Sequence, residues 1–169
     1  ERREVRKLTT LMDFGRQLAD AANPKGCFGP LLETLGRHHG IIRSFIMLVA
    51  DDEKIRMEAM HGLNEEVSRR VTYRIGEGVI GRVVQSGKPV VVPRTSQEPL
   101  LLNRLRGTEH GSTKKEVSFI CVPIIASGKA IGVIGADRIY KEERDYDRTT
   151  KFLSVIAAMI VQSLKVEQR

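Results

Sequence analysis

The hydrophobic and polar positions along the chain first follow a helical period. Residues 4–22 place apolar side chains three and four positions apart, which predicts an N-terminal helix. These side chains form two stripes. The first stripe contains Leu8, Met12, Gly15, Ala19 and Ala22, and the second contains Leu11, Phe14 and Leu18. We expect one stripe to pack on a sheet and the other on a partner helix.

A second helix is predicted over residues 23–40, with the pair Asn23–Pro24 as its N-cap and first position. Glycine and proline weaken its first half, so its regular part is expected to begin near Pro30. His38 and His39 fall in its last turn, where a cation interacts favourably with the helix dipole. Because adjacent helical residues point in different directions, these histidines do not predict a metal site.

Six later segments have the alternation or the β-branched composition of strands. They are residues 41–50, residues 54–61, a short segment around Tyr73, residues 90–92, residues 117–125 and residues 130–139. Turn residues separate the first two strands at 51–53, and Ser127–Gly128 turns the last two into a hairpin. A final helix is predicted from about Arg148 to Glu167, with Asp147 as its N-cap and apolar side chains on more than one face.

Helices at both chain ends with hairpins between them predict an α+β fold built on an antiparallel sheet. We expect five or six strands, with the terminal helices packed together on one face and a short helix plus a long loop on the other. At 169 residues, the chain 1–169 is expected to form a single domain. Its parts are the helix 4–22, a sheet core over residues 23–142 with a lid loop at 94–116, and the helix 147–167.

The stretch from Tyr73 to Pro93 contains GEGVIG, which matches the G-x-G-x-x-G pattern of dinucleotide-binding sites. That pattern works between a buried parallel strand and a long helix. Here the preceding residues alternate like a half-exposed strand, and the helix can run only from about Val79 to Gln85. The pattern therefore does not predict a nucleotide site.

A phosphate-binding loop is excluded by spacing within the same stretch. Five residues separate Gly81 from Gly87 where the pattern requires four, and Pro89 stands where a Ser or Thr would bind magnesium. The stretch instead predicts a tight turn at Gly76 and Gly78, followed by a short helix with an apolar face. Gly87 caps that helix, and Pro89 leads into the next strand.

Composition limits the function classes. The net charge is +7, but the basic residues are scattered and no nucleic-acid-binding motif accompanies them, so no direct nucleic-acid contact is predicted. No segment is apolar and long enough to span a membrane and no signal peptide opens the chain, which predicts a cytoplasmic protein without membrane contact. Cys27 and Cys121 match no metal or redox motif, so neither a metal site nor a catalytic residue is predicted.

The segment from residue 94 to residue 116 is long for a connection within a domain, and such connections are usually functional lids or disordered. Its basic residues outnumber its acids. They are Arg94, Arg104, Arg106, His110, Lys114 and Lys115. Two interpretations stay open. One is a basic lid that binds a small anion, such as a dicarboxylate, by charge-assisted hydrogen bonds, and the other is a solvated loop whose charges keep the protein soluble.

Four segments, in order along the chain, carry a resemblance to a known family. They are GEGVIGRVVQSGKPVVVP, SQEPLLLNR, EVSFICVPI and GKAIGVIGADR. This ordered set resembles the GAF domain family, and within it the N-terminal GAF domains of nitrogen-fixation activators of the NifA type, which are sigma-54-dependent transcriptional regulators. The resemblance covers the chain from about Leu8 to Leu164. It implies a small-molecule pocket on one sheet face and a homodimer formed through the terminal helices.

The resemblance also implies a sensory role without enzymatic activity, in which the domain controls an ATPase domain and a DNA-binding domain elsewhere in the polypeptide. The small anion 2-oxoglutarate is one implied effector, a GAF-type regulatory protein is one implied partner, and no cofactor is expected. The expected ligand-binding residues are a pocket floor on two strands and a polar wall in the loop. They are Phe45, Met47, Phe119 and Cys121 for the floor, and Arg94, Ser96, Glu98 and Arg104 for the wall. A plain core role is the alternative for each floor residue.

Two other functions stay open. The first is a GAF-like domain without a ligand, used only for dimerisation or protein interaction. The second is a thiol-based methionine sulfoxide reductase that uses Cys121 or Cys27. A working thiolate needs nearby cations or a helix N-terminus, and the position of Cys121 in the middle of a strand argues against this. Asp137 and Arg138, at the end of the last strand, are expected to pair with surface charges.

Overall fold

The computed structural model of the chain describes residues 2–98 and 115–167. The α-helices in these ranges are α1 (Arg2–Asp20), α2 (Phe28–His38), α3 (Glu65–Ser68), α4 (Gly78–Ser86) and α5 (Tyr146–Glu167). The strands are β1 (Arg43–Val49), β2 (Lys54–His61), β3 (Thr72–Arg74), β4 (Val90–Val92), β5 (Val117–Ala126) and β6 (Lys129–Ile139). Short 3₁₀ turns precede α2 at Pro24–Cys27 and follow β4 at Thr95–Gln97.

These strands form an antiparallel sheet in the order β3-β2-β1-β6-β5-β4. The two predicted hairpins, β1–β2 and β5–β6, both form, and pairing of β6 with β1 joins them. The φ angles of 51° at Ser127 and 78° at Gly128 suit the tight turn between β5 and β6. The predicted α+β fold class is confirmed, and the sheet has six strands.

The two faces of the sheet bury their side chains in two separate cores, because successive strand residues point to opposite sides. Ile120 and Val122 of β5 enter a core beneath α2 and α5, which also contains Phe14 of α1. Phe119 and Cys121 of the same strand enter the other core, beneath α4. As predicted, the terminal helices lie together on one face and the short helix covers the other.

Helices α1 and α5 lie side by side and run in the same direction. Near their beginnings, Glu4 Oε1 is 3.8 Å from Arg148 Nη1. One turn further along α1, Lys7 Nζ lies 5.9 Å from the ring centroid of Phe152. Position 15 faces Met159, whose Cε would lie 3.3 Å from a Cβ placed on Gly15. The chain ends therefore form a parallel helix pair.

The two predicted stripes of α1 have different environments. Phe14 of the second stripe is buried, and Leu11 and Leu18 pack against the same core. Leu8 and Met12 of the first stripe are 60% and 58% exposed. The second stripe therefore holds α1 on the domain, and the beginning of the first stripe lies on the surface.

The glycines between β3 and β4 serve backbone geometry. Gly76 and Gly78 have φ angles of 91° and 64°, a region that other residues rarely adopt. A Cβ on Gly81 would lie 2.5 Å from the carbonyl oxygen of Arg74, so this position has no room for a side chain. Gly87 ends α4 with a φ angle of 70°. The predicted turn, short helix and glycine cap are confirmed.

The predicted starts of two helices have different outcomes. Asn23 is an N-cap, since its side chain accepts a hydrogen bond from the Lys25 amide at 3.3 Å, although it caps the 3₁₀ turn before α2. Asp147 as the cap of the last helix is wrong. Helix α5 begins one residue earlier, and the Asp147 amide instead donates to Asp145 Oδ1 at 2.9 Å. Among the described residues, no helix combines the length and apolar character needed to cross a membrane.

Candidate functional site

The four residues predicted for the pocket floor lie in one cluster, on the sheet face that α4 covers. The rings of Phe45 and Phe119 stack, with centroids 6.1 Å apart and an interplanar angle of 21°. Met47 and Cys121 are fully buried in the same cluster. Strand alternation alone could not say which face these residues share. Packing against α4 answers that question.

A buried ion pair between Arg43 and Asp137 lies beside this apolar cluster. Arg43 Nε donates to Asp137 Oδ2 at 3.0 Å, and the two side chains are only 10% and 6% exposed. The strand register sets Asp137 opposite both Arg43 and Phe119, so the pair is on the α4 side of the sheet. Two buried charges in close contact give this end of the cluster a polar character.

Sequence reasoning missed the role of Arg43, and its expectation of a surface partner for Asp137 was wrong. The sequence did contain a signal. Arg43 is a cation two positions before Phe45 in a mostly apolar strand, so alternation puts it on the same face as the predicted floor. What the sequence does not reveal is the carboxylate that balances it, 94 positions later in the chain.

Arg94 lies against the residue that follows β6. Its guanidinium carbon is 4.5 Å from the ring centroid of Tyr140, and Nη2 donates to the Tyr140 hydroxyl at 3.4 Å. This hydrogen bond is the main reason that the pKa of Arg94 is raised. The ring contact fixes the place of the cation while leaving its side chain half-buried. The structure therefore places Arg94 at the strand ends and not within the floor cluster.

Ser96 links the first and last described parts of the segment 94–116, residues 94–98 and 115–116, which are called its two stems. The Ser96 amide donates to Glu116 Oε1 at 3.1 Å, and its hydroxyl donates to Oε2 at 2.5 Å. These bonds lower the pKa of the Glu116 carboxyl. The segment thus leaves and re-enters the fold at one place, directly before β5 and two residues ahead of Ser118. Glu98 is half-buried at the end of the first stem, and Arg104 lies outside the described residues.

The Arg94–Tyr140 contact and the Ser96–Glu116 contact are at the same end of the sheet. Glu116 and Tyr140 are joined by a backbone hydrogen bond of 2.9 Å, at the start of β5 and the end of β6. The Arg43–Asp137 pair is within three residues of Tyr140 along β6. The floor residues thus form one group and Arg94 and Ser96 another, with the buried ion pair near the end of the sheet that carries the second group.

The two cysteines of the sequence lie in different cores. Cys27 belongs to the core beneath α2 and α5, and Cys121 to the core beneath α4, so the sheet separates them. Burial raises the pKa of the Cys121 thiol above its usual range. A catalytic thiolate requires the opposite shift. The geometry gives no support to a thiol-based reductase.

This arrangement of sheet and helices matches a known protein family. Residues 23–164 match the model of the GAF domain family, and the matched range contains all six strands. The chain belongs to the GAF domain family. The resemblance predicted from four ordered segments is confirmed, and this GAF domain extends beyond the matched range by helix α1.

Curated relatives of this GAF domain are regulators of nitrogen fixation. It is 30% identical to the Nif-specific regulatory protein of Azospirillum brasilense over 96% of this chain. It is 30% identical to the nitrogen fixation protein VnfA, over 94% of the chain, and 33% identical to AnfA, over 91%, both of Azotobacter vinelandii. The chain spans 26%, 31% and 28% of those three relatives, which are therefore much longer proteins.

Solved structures share the fold at lower sequence identity. A GAF domain of A. aeolicus nlh2, in an inactive state, superposes with a TM-score of 0.84 at 20% identity, covering 97% of this chain and 98% of that one. A free methionine-R-sulfoxide reductase from Neisseria meningitidis superposes with a TM-score of 0.80 at 18% identity, covering 99% and 93%. At these identities the likeness shows the fold alone, since one fold carries both kinds of protein.

Proposed function

We propose that this GAF domain is the sensory and dimerisation module of a sigma-54-dependent activator of nitrogen fixation, and that it binds a small dianion on the α4 face. The observation that carries the proposal is the Arg43–Asp137 pair beside the floor cluster of Phe45 and Phe119. A buried pair of charges next to apolar side chains is a costly arrangement, and such arrangements concentrate at functional sites.

The chemistry of the surrounding residues favours an anion. Arg94 is fixed on Tyr140 at the same end of the sheet, and the segment that begins there carries further cations in its sequence, Arg104 and Lys114 among them. Arginine side chains bind carboxylates through paired hydrogen bonds. The dicarboxylate 2-oxoglutarate is the first candidate, with its carbon chain against the floor and its carboxylates toward Arg94 and Arg104.

The same proposal assigns the terminal helices to a homodimer. Val5, Leu8 and Met12 follow one another at helical spacing on the outer side of α1, and each is at least 58% exposed. Val155 of the neighbouring α5 is 45% exposed. A second copy that presents the same helices would cover both surfaces at once, as expected for a two-fold contact.

Ligand binding would then act through these helices on the rest of a longer polypeptide. We propose an attached ATPase domain as the recipient and a GAF-type regulatory protein as a further partner. A ligand shifts such a system only by binding one helix arrangement more tightly than the other. The core beneath α5 and the core beneath α4 share strands β5 and β6, so a change on one face of these strands can reach the other.

Thermal unfolding of the 169-residue chain, with 2-oxoglutarate added up to millimolar concentrations, tests the ligand. Saturable binding should raise stability by about 2.7 kcal/mol at one hundred times Kd. Arg94→Ala and Arg104→Ala should each reduce that gain, and Arg16→Ala, an exposed change on α1, is the matched control. A gain that is equal in all four proteins would remove both arginines from the site, and no gain at all would reject the dianion.

Sedimentation tests the dimer independently of any ligand. The double variant Leu8→Glu/Met12→Glu should convert the dimer to a monomer at tens of micromolar, because it sets charges in an apolar contact. Gln17→Glu, which adds one negative charge at an exposed position of the same helix, is the control and should leave the dimer intact. A monomeric parent chain would contradict the proposed role of the terminal helices.

A further inference from the structure

A cleft lies on the face of the sheet opposite α4. The first turns of α1 and α5 meet there with the ends of α2 and β6, around a cavity of about 520 Å³. That volume falls within the usual range of small-molecule sites. Seven arginine and lysine side chains line it against three carboxylates, so the cleft has an excess of positive charge.

Two arginines bring their guanidinium groups into this cleft with part of their hydrogen-bonding capacity unused. Arg138 Nη1 donates to Thr149 Oγ1 at 2.7 Å, and Arg144 Nη2 donates to the Ile139 carbonyl at 3.3 Å. The Nε–H groups of Arg138 and Arg144 are buried and have no hydrogen-bond partner in residues 2–98 and 115–167. Buried N–H groups are nearly always paired in folded proteins, so these two are unusual.

Two of the three carboxylates of the cleft, Glu4 and Asp145, contact groups other than these two arginines. Glu4 pairs with Lys7 at 3.4 Å and with Arg148 at 3.8 Å. Asp145 accepts the backbone amide of Asp147. Burial, followed by the charges of Arg144 and Arg3, lowers the pKa of Arg138 to about 10. A half-buried guanidinium surrounded by other cations is a group that an anion would stabilise.

His39 lines one wall of the cleft and is uncharged at neutral pH. Its Nε2 lies 2.7 Å from the Thr10 hydroxyl, and its ring lies 4.9 Å from the ring of Phe152. Burial, with help from the neighbouring cations, lowers the pKa of His39 to about 4. The expected cation at this end of α2 is therefore wrong for His39. The positive charge of the cleft comes from arginine and lysine, which keep it across the neutral range.

We propose that this cleft binds a compact oxyanion with two or more negative charges, held by Arg138 and Arg144 on one side and by Arg3 and Arg6 of α1 on the other. Guanidinium groups match the paired oxygens of phosphates and carboxylates. The first turns of two helices line the same cavity, and the partial positive charge of helix beginnings adds to the attraction.

The site goes beyond the proposed function, because the sheet separates it from the α4 face. Its cations come from α1 on one side and, on the other, from the end of β6, the β6–α5 connection and the first turn of α5. An anion between them removes the repulsion across this boundary and links the beginnings of the two terminal helices. Occupancy would therefore stabilise the docking of α1 on α5, the surface on which the proposed dimer depends.

Calorimetric titration of the 169-residue chain with pyrophosphate, at low ionic strength, tests this site. Citrate serves as a second probe, and sodium chloride at matched ionic strength is the baseline. We expect saturable binding that Arg138→Gln and Arg144→Gln each weaken at least tenfold. Arg6→Gln, at an exposed position of α1, should weaken binding severalfold. Arg82→Gln, exposed on α4, removes the same charge on the other face and should leave Kd unchanged.

Binding of either pyrophosphate or citrate, weakened by the variants as expected, supports the site. The probe that binds more tightly shows whether the site prefers a phosphate or a carboxylate ligand. The proposal is overturned by an absence of saturable binding at millimolar anion concentrations. It is also overturned by an equal loss of affinity in Arg82→Gln, or by unchanged affinity in Arg6→Gln and Arg144→Gln. Bound anion should also slow amide exchange in the first turns of α1 and not in α4.

Discussion

The ring of Phe45 occupies the space that a side chain on Gly135 would need. A Cβ placed on Gly135 would lie 2.2 Å from Phe45 Cζ, and the strand register sets these two residues directly opposite each other. The aromatic floor of the α4 face therefore depends on a glycine in the neighbouring strand.

Gly135→Ala should destabilise the domain by about 1–3 kcal/mol, because the Phe45 ring has to leave its present position. Urea unfolding measures the change. Gly29→Ala is the matched control, since a Cβ at Gly29 of α2 meets nothing within 4 Å. That control should be neutral or stabilising by up to about 1 kcal/mol. Phe45→Leu should recover part of the loss when combined with Gly135→Ala, and a purely additive double variant would contradict this account.

Arg43→Ala should destabilise the domain by about 3–5 kcal/mol, because it removes the guanidinium that donates to the buried Asp137 carboxylate. The double change Arg43→Met/Asp137→Leu should cost much less than Arg43→Ala, since it removes both charges. Arg56→Ala, which breaks the exposed ion pair with Asp52, is the comparison and should change stability far less, because solvent screens that pair. Equal losses for Arg43→Ala and Arg56→Ala would show that the buried pair has no special weight.

His39 should make the domain less stable as the pH falls from about 6.5 towards 4. Its pKa is lowered to about 4 in the folded chain by burial and by His38, Lys7, Arg6 and Arg138, in that order. The unfolded chain therefore binds a proton first, and each such proton favours unfolding. Above pH 6.5 this contribution is fully present and constant. Unfolding free energies measured across that window should fall less steeply for His39→Gln than for the parent, and parallel curves would contradict the lowered pKa.

The thiol of Cys121 should not react with a thiol reagent at pH 8 until the domain opens. Full burial beneath α4 raises its pKa, so both access and thiolate are lacking. In a Cys27→Ser background, labelling of Cys121 should follow the unfolding rate and rise sharply with urea. The same protein should show no thiol-dependent reduction of free methionine sulfoxide. Activity that disappears with Cys121→Ser would favour the reductase instead.

Local sequence patterns predicted much of the fold. The alternation that marks β5 and β6 also fixed which of their residues share a face, and the glycines around α4 indicated a turn and a cap. Helix ends were less certain, because both Asp145 and Asp147 are good capping residues and only the packing of Tyr146 decides between them. Tyr146 is partly buried against the core, with its hydroxyl 2.6 Å from the Ser118 hydroxyl, and the helix begins at this residue.

The candidate sites divide in a similar way. Alternation paired Phe45 with Met47 and Phe119 with Cys121, and the ordered segments indicated the GAF family. Neither could bring Arg43 to Asp137 or gather Arg138 and Arg144 with Arg3 of α1. Those contacts join residues far apart in the chain, and a cation that looks solvated in the sequence becomes buried only when another element packs over it.

The sequence by itself determined most of the elements, which strand residues share a face, and the family, because these follow from periodicity and from glycine geometry within short windows. Only the tertiary structure decided which face α4 covers, which stripe of α1 is exposed, and where charges are buried. The reason is physical. The cost of burying a charge and the gain from pairing it depend on neighbours that the fold, and not the local sequence, supplies.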